Sequence, residues 1–203
     1  MRMTARLLLC FVGLAAFATT VCAQGPAISP SEDGYVDWLS PDRKFAFLKS
    51  PYTLDVIDKK SGKKLQRIAI AEDGVVNGSN WRVLWAPDSN RFALMTRAGH
   101  PFSRVGVYFR SGETFRGIEL PDLPNADIPE KLKRGKEFPH YSALNWQEAK
   151  EWKNDGSLAV MIETTIDGDS GSITAARSIL LRFDQAGRAR TTKSTIKYKT
   201  DAR

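Results

Sequence analysis

At 203 residues, 42% of them apolar and 26% charged, the chain is long enough to bury a core of its own. Lys and Arg number 30 against 23 Asp and Glu, a net charge of +7 that makes the surface basic without making it polycationic. Only Cys10 and Cys22 carry thiols, and both fall in the N-terminal segment, so the rest of the chain holds neither a Cys nucleophile nor a Cys zinc site.

The first element is a predicted signal peptide, Met1 to Ala23. Arg2 and Arg6 form a short positive region, Leu7 to Ala18 an uncharged apolar run, and Val21-Cys22-Ala23 a cleavage site that leaves Gln24 as the new N-terminus. The apolar run is about a dozen residues, short of the ~20 that a spanning helix needs. Neither cysteine follows a small residue, which argues against lipid attachment. Cleavage removes Arg2 and Arg6 and lowers the charge from +7 by two, to +5. The expectation is a periplasmic or secreted protein with no transmembrane segment after cleavage and no nucleic-acid partner. Its domain must hold together without disulfides.

Residues 24–34 are rich in Gly, Pro and Ser and read as a flexible lead-in. From 35 to 203 short apolar or alternating runs are separated by turn chemistry, the pattern of an all-β domain. Three segments recur: Trp38-Leu-Ser-Pro-Asp-Arg-Lys-Phe-Ala-Phe-Leu48, Leu84-Trp-Ala-Pro-Asp-Ser-Asn-Arg-Phe-Ala-Leu-Met95 and Trp152-Lys-Asn-Asp-Gly-Ser-Leu-Ala-Val-Met161. Each places an Asp where its carboxylate can accept from a backbone N–H two residues on, and Pro41 and Pro87 pre-set φ for the same turn. Each is led by a strand (35–39, 81–85, about 143–152). Each is followed by two more strands around a polar turn: 53–57 and 64–70, 105–109 and 115–120, 178–183 and 192–198. Four strands in each of three units predict blade-like sheets.

With these motifs the chain resembles the WD40-like, TolB-type β-propeller repeat, whose Trp-Ser-Pro-Asp-Gly signature sits in that turn. Ser40-Pro41-Asp42 and Ala86-Pro87-Asp88 match it, and Trp152, Asp155 and Gly156 match it in the third unit; Arg43 and Ser89 stand where the glycine is usual. The resemblance implies a fold and not an activity. Closed propellers have ~4–8 blades, so three leave an open arc, a ring completed by a second copy as a homodimer, or a β-sandwich as the alternatives.

An insertion at about 121–150 breaks the repeat. Residues 122–129 are Pro-rich and extended, 128–135 read as a short helix ending at Gly135, and 145–152 read as either a helix or the lead strand. Lys131, Lys133 and Arg134, with His140, Tyr141 and Trp146, form a candidate patch for an acidic or glycan partner; the plainer alternative is a solvated loop. Trp38, Trp85 and Trp152 sit at repeat anchors, which leaves Trp81 and Trp146 as the freer candidates for a sugar platform.

Catalytic signatures are weak. Gly168-Asp-Ser-Gly171 resembles the nucleophile stretch of trypsin-like proteases, but the chain's histidines, His100 and His140, lack that family's context, and the stretch reads better as a hairpin loop. Asp167 and Asp169 offer two oxygens for Ca²⁺ without the further ligands of an EF-hand loop. No Gly-rich phosphate loop is present, and no cofactor is expected. The sequence therefore points to an exported binding or scaffolding protein of the bacterial envelope, not an enzyme, recognising a protein or an anionic or glycan partner. A propeller-type hydrolase with a carboxylate pair formed only in space is the alternative.

Overall fold

The computed structural model describes residues 35–50, 53–70, 81–97 and 99–202; the predicted signal peptide and lead-in lie outside the described residues. Twelve strands among the described residues form three four-stranded antiparallel sheets, none closed into a barrel. Sheet 1 is β1 (Tyr35–Asp37), β2 (Phe45–Lys49), β3 (Thr53–Asp58) and β4 (Lys64–Ile70). Sheet 2 is β5 (Trp81–Trp85), β6 (Arg91–Arg97), β7 (Ser103–Ser111) and β8 (Thr114–Ile118). After the single-turn α1 (Glu130–Lys133), sheet 3 is β9 (His140–Trp152), β10 (Leu158–Gly168), β11 (Gly171–Phe183) and β12 (Ala189–Ala202). In each sheet the strands neighbour one another in chain order, so each repeat unit is one blade-like sheet rather than a share of a two-sheet sandwich.

The Asp turns repeat as the residues require. Asp42 Oδ1 accepts from the Lys44 amide at 3.1 Å, Asp88 Oδ1 from the Asn90 amide at 2.9 Å and Asp155 Oδ1 from the Ser157 amide at 3.0 Å. The residue after each Asp is left-handed: Arg43 at φ 60°, Ser89 at φ 58° and Gly156 at φ 77°. This is the glycine position of the signature, occupied twice by residues with a Cβ. Ser89 is held there because its buried hydroxyl accepts from the Asp42 amide of the neighbouring unit at 2.9 Å.

A second repeated contact joins the units. Trp85 Nε1 donates to the Trp38 carbonyl at 2.7 Å, and Trp152 Nε1 donates to the Leu84 carbonyl at 3.0 Å. Both donors lie three residues before their Asp, and both acceptors four residues before the Asp of the preceding unit. The same joint therefore links sheet 1 to sheet 2 and sheet 2 to sheet 3. In the first unit the donor position holds Leu39, which is 42% exposed.

Sheet 2 is buried on both faces. Phe92 and Leu94 meet Phe45, Phe47, Leu54 and Val56 of sheet 1 in an aromatic cluster. Phe47 and Phe92 pack edge to face at 5.1 Å between centroids, and Trp85 lies 5.2 Å from Phe92. On the opposite face Ala93, Met95, Val105 and Val107 meet Val160, Ile162, Ile179 and Leu181 of sheet 3 in an aliphatic core. Each buried large side chain stabilises the fold by roughly 1.5–3 kcal/mol.

Several elements differ from the sequence expectation. β1 stops at Asp37 because Trp38 turns left-handed at φ 46°. Residues 145–152 are strand, continuous with β9, which starts at His140. The interruption between units is thus 119–139, and its extended part is a lid on the core: Ala126 is fully buried, with Leu120, Leu123 and Ile128 packed beside it. Sheet 3 is much longer than its predecessors because β10 and β11 run on to Gly168 and Gly171, leaving Asp169-Ser170 as a two-residue hairpin turn.

Candidate ligand-binding cleft

β9 is the edge of sheet 3 that rests on sheet 2, and side chains with backbone partners fix it there. Gln147 Oε1 accepts from the Val105 amide at 3.1 Å, and its carbonyl accepts from Ser103 Oγ at 2.6 Å. The connection from β6 to β7 is tied to the same strand, since the Leu144 amide donates to the Pro101 carbonyl at 3.1 Å. Within β9 the register slips: Ala143 faces Thr165 but Trp146 faces Glu163, and Asn145 is left-handed at φ 48°. One extra residue on β9 is a β-bulge, and it re-aims the side chains beyond it. Ala143, Trp146 and Glu148 therefore share a face despite their odd spacing.

The result is a cleft of about 430 Å³ between the end of β6 and the outer face of β9 and β10. Trp146 and Met161 give it an apolar wall, and His100, Ser142, Glu148 and Glu163 give it hydrogen-bonding groups. The volume is in the range of small-molecule sites. The Arg97 guanidinium lies over the Trp146 ring at 4.9 Å. Glu148 is engaged at both oxygens, by Arg82 at 2.7 Å and Lys150 at 2.6 Å. Glu163 Oε1 accepts from Thr165 Oγ1 at 3.1 Å. A part-exposed indole beside fixed acceptors and a hydroxyl suits a ligand with one apolar face and many hydroxyls.

The structure divides the patch expected from sequence. Lys131 and Lys133 lie on α1, where Lys133 pairs with Glu130 at 2.6 Å, and Arg134 is the left-handed residue that ends the turn. His140 and Tyr141 open β9, both exposed, opposite Asp167 and Ile166. Trp146 stands six residues further along, up to about 20 Å at strand rise. Of the six residues only Trp146 enters the cleft. Trp81, the other free candidate, is buried in the aromatic core. Arg97, His100, Glu148 and Glu163 come to the cleft from separate strands and a loop, and no sequence motif announces them.

The remaining candidates stay apart from the cleft. Asp167 ends β10, and Asp169 and Ser170 form the hairpin tip; among the described residues no three His, Cys, Asp or Glu side chains come together as a metal site. Among the described residues no helix is long and apolar enough to cross a membrane. Comparison of the sequence with protein-family models and with curated proteins finds no match to either.

Proposed function

We propose that this is an exported, non-catalytic binding module of the bacterial envelope, and that it binds a saccharide in the cleft around Trp146. The observation that carries this reading is the part-exposed indole, set by a bulge into a cleft whose polar groups are already fixed by neighbours. A sugar ring would stack its C–H face on the side of the indole opposite Arg97 while its hydroxyls bond flanking acceptors, and preorganised acceptors lower the cost of binding. The compartment rests on the predicted signal peptide. Kinship with the WD40-like, TolB-type repeat is supported by the three Asp turns and by the repeated tryptophan joint.

The hydrolase alternative would use Glu148 and Glu163, the carboxylates of the cleft. Both oxygens of Glu148 are engaged, by Arg82 and Lys150, which turns it away from the role of a free catalytic carboxyl. A panel of oligosaccharides titrated into the purified chain, followed by tryptophan fluorescence and calorimetry, tests the reading. Binding lost in Trp146→Ala, with circular dichroism unchanged, supports it. Binding that is indifferent to Trp146 overturns the site, and cleavage of the bound sugar overturns the non-catalytic assignment.

A further inference from the structure

One face of sheet 3 packs on sheet 2; the other is open, as the alternating burial of β10 and β11 records. The register lays a row across that open face, starting in the cleft. Trp146 stands opposite Glu163, Glu163 opposite Ala176, and Ala176 opposite Lys197. On the same face of β12, Lys193 stands opposite Leu180 and Lys199 opposite Thr174, so three exposed lysines line its far edge. Between cleft and lysines the floor is built of short side chains, Thr174, Ala176 and Ser178, which leaves room for a ligand lying flat. Lys199 is paired with Asp201 at 2.8 Å; among the described residues no carboxylate pairs with Lys193 or Lys197.

We infer that the ligand is an acidic oligosaccharide lying across the open face of sheet 3, with a neutral ring on Trp146 and an anionic group over Lys193 and Lys197. The inference rests on the cleft being a saccharide site and adds the class of saccharide. Charge places the anion at β12, where Lys193 and Lys197 have no carboxylate partner among the described residues, whereas in the cleft Glu148 and Glu163 stand against Arg97 and the two cations that hold Glu148. Strands spaced ~4.8 Å apart put β12 about 14 Å from β9, so the stacked ring and the anion belong to different sugar units. Lysines on an edge strand also discourage another strand from adding to it. That role alone would leave ligand choice unchanged when they are replaced.

The test is calorimetry on the purified chain with a neutral glucan trimer, an acidic trimer of two neutral sugars ending in one uronate, and the monomeric uronate. The expected result is a preference of about ten-fold for the acidic over the neutral trimer at low salt, shrinking as salt rises. The monomer should show no such gain. Lys193→Gln with Lys197→Gln should remove the preference while leaving neutral-trimer affinity unchanged; Trp146→Ala should weaken both trimers. An acidic trimer bound no better than the neutral one, or a preference that survives the lysine replacements, overturns this inference and leaves the cleft reading standing. Failure of both trimers to bind overturns the two together. Aggregation of the lysine variant with its preference intact assigns the lysines to edge protection and also overturns the inference.

Discussion

Gln66 uses both ends of its carboxamide on the backbone of Phe115: Nε2 donates to the Phe115 carbonyl at 2.8 Å, and Oε1 accepts from the Phe115 amide at 2.7 Å. A side chain on the outermost strand of sheet 1 thus completes the free edge of sheet 2 as a paired strand would. Gln66→Leu leaves both backbone groups without a partner and should cost about 1–3 kcal/mol in urea unfolding. Gln66→Glu keeps the acceptor but sets an oxygen against the Phe115 carbonyl, so it should be destabilised at neutral pH and recover part of the loss on acidification. Two variants as stable as the parent chain would show that the contact contributes nothing.

The tryptophan joint predicts a contrast between tryptophans. Trp152→Phe removes the donor to the Leu84 carbonyl and shrinks to a phenyl the indole under Arg91, whose guanidinium lies 5.1 Å from it. Its cost should be about 1–3 kcal/mol. Trp146→Phe, in the cleft, should cost less than about 1 kcal/mol. Thermal unfolding of the two variants side by side decides; equal losses would mean that the joint is ordinary packing.

Arg43 holds the left-handed glycine position with an exposed side chain at φ 60°. Arg43→Gly should therefore stabilise the chain, by on the order of 1 kcal/mol. Ser89→Gly, at the same place in the next unit, should do the opposite, because it deletes the acceptor of the Asp42 amide. Opposite signs for the two substitutions are the result to look for in melting temperature.

Acid should loosen the turns at Asp58, Asp155 and Asp184. Asp155 is held below the usual 3.8 by the Ser157 hydroxyl and amide, Asp58 by the Ser61 hydroxyl and amide, and Asp184 by the Arg188 amide and then its side chain. A carboxyl lowered in the folded state contributes stability that is complete above its unfolded value and is lost as pH falls through the folded one. Melting temperature should thus hold from about pH 6 to pH 4 and fall below it. Asp155→Asn should flatten that fall; a profile unchanged by the substitution would remove Asp155 from the account.

The proposed export predicts a processed chain. Expressed in a bacterium with a functional secretion system, the protein should be recovered from the periplasm or medium with Gln24 first, as intact mass would show. Recovery of a cytoplasmic chain still beginning at Met1 would remove the envelope from the proposed function.

The sheets were legible in the sequence because their turns are written locally: Asp42, Asp88 and Asp155 each need only a neighbour two residues away. The length of sheet 3 was not, because Gly168-Asp-Ser-Gly171 reads as a loop whether the flanking strands are short or long. The cleft was least legible. Trp146 stood out as a tryptophan outside the repeat, but its companions depend on a one-residue slip at Asn145 and on a connection from another sheet. The apolar spacing of Leu120, Leu123, Ala126 and Ile128 was the signal that the insertion covers a core rather than offering a surface.

The joint between sheets has one further property. Its donor is an indole and its acceptor is main chain, so the acceptor residue is chemically anonymous: Trp38 fills the role in one unit and Leu84 in the next. Recognition between neighbouring units is therefore one-sided. At this joint the later unit must supply an indole, while the hydrogen bond itself makes no demand on the predecessor's side chain.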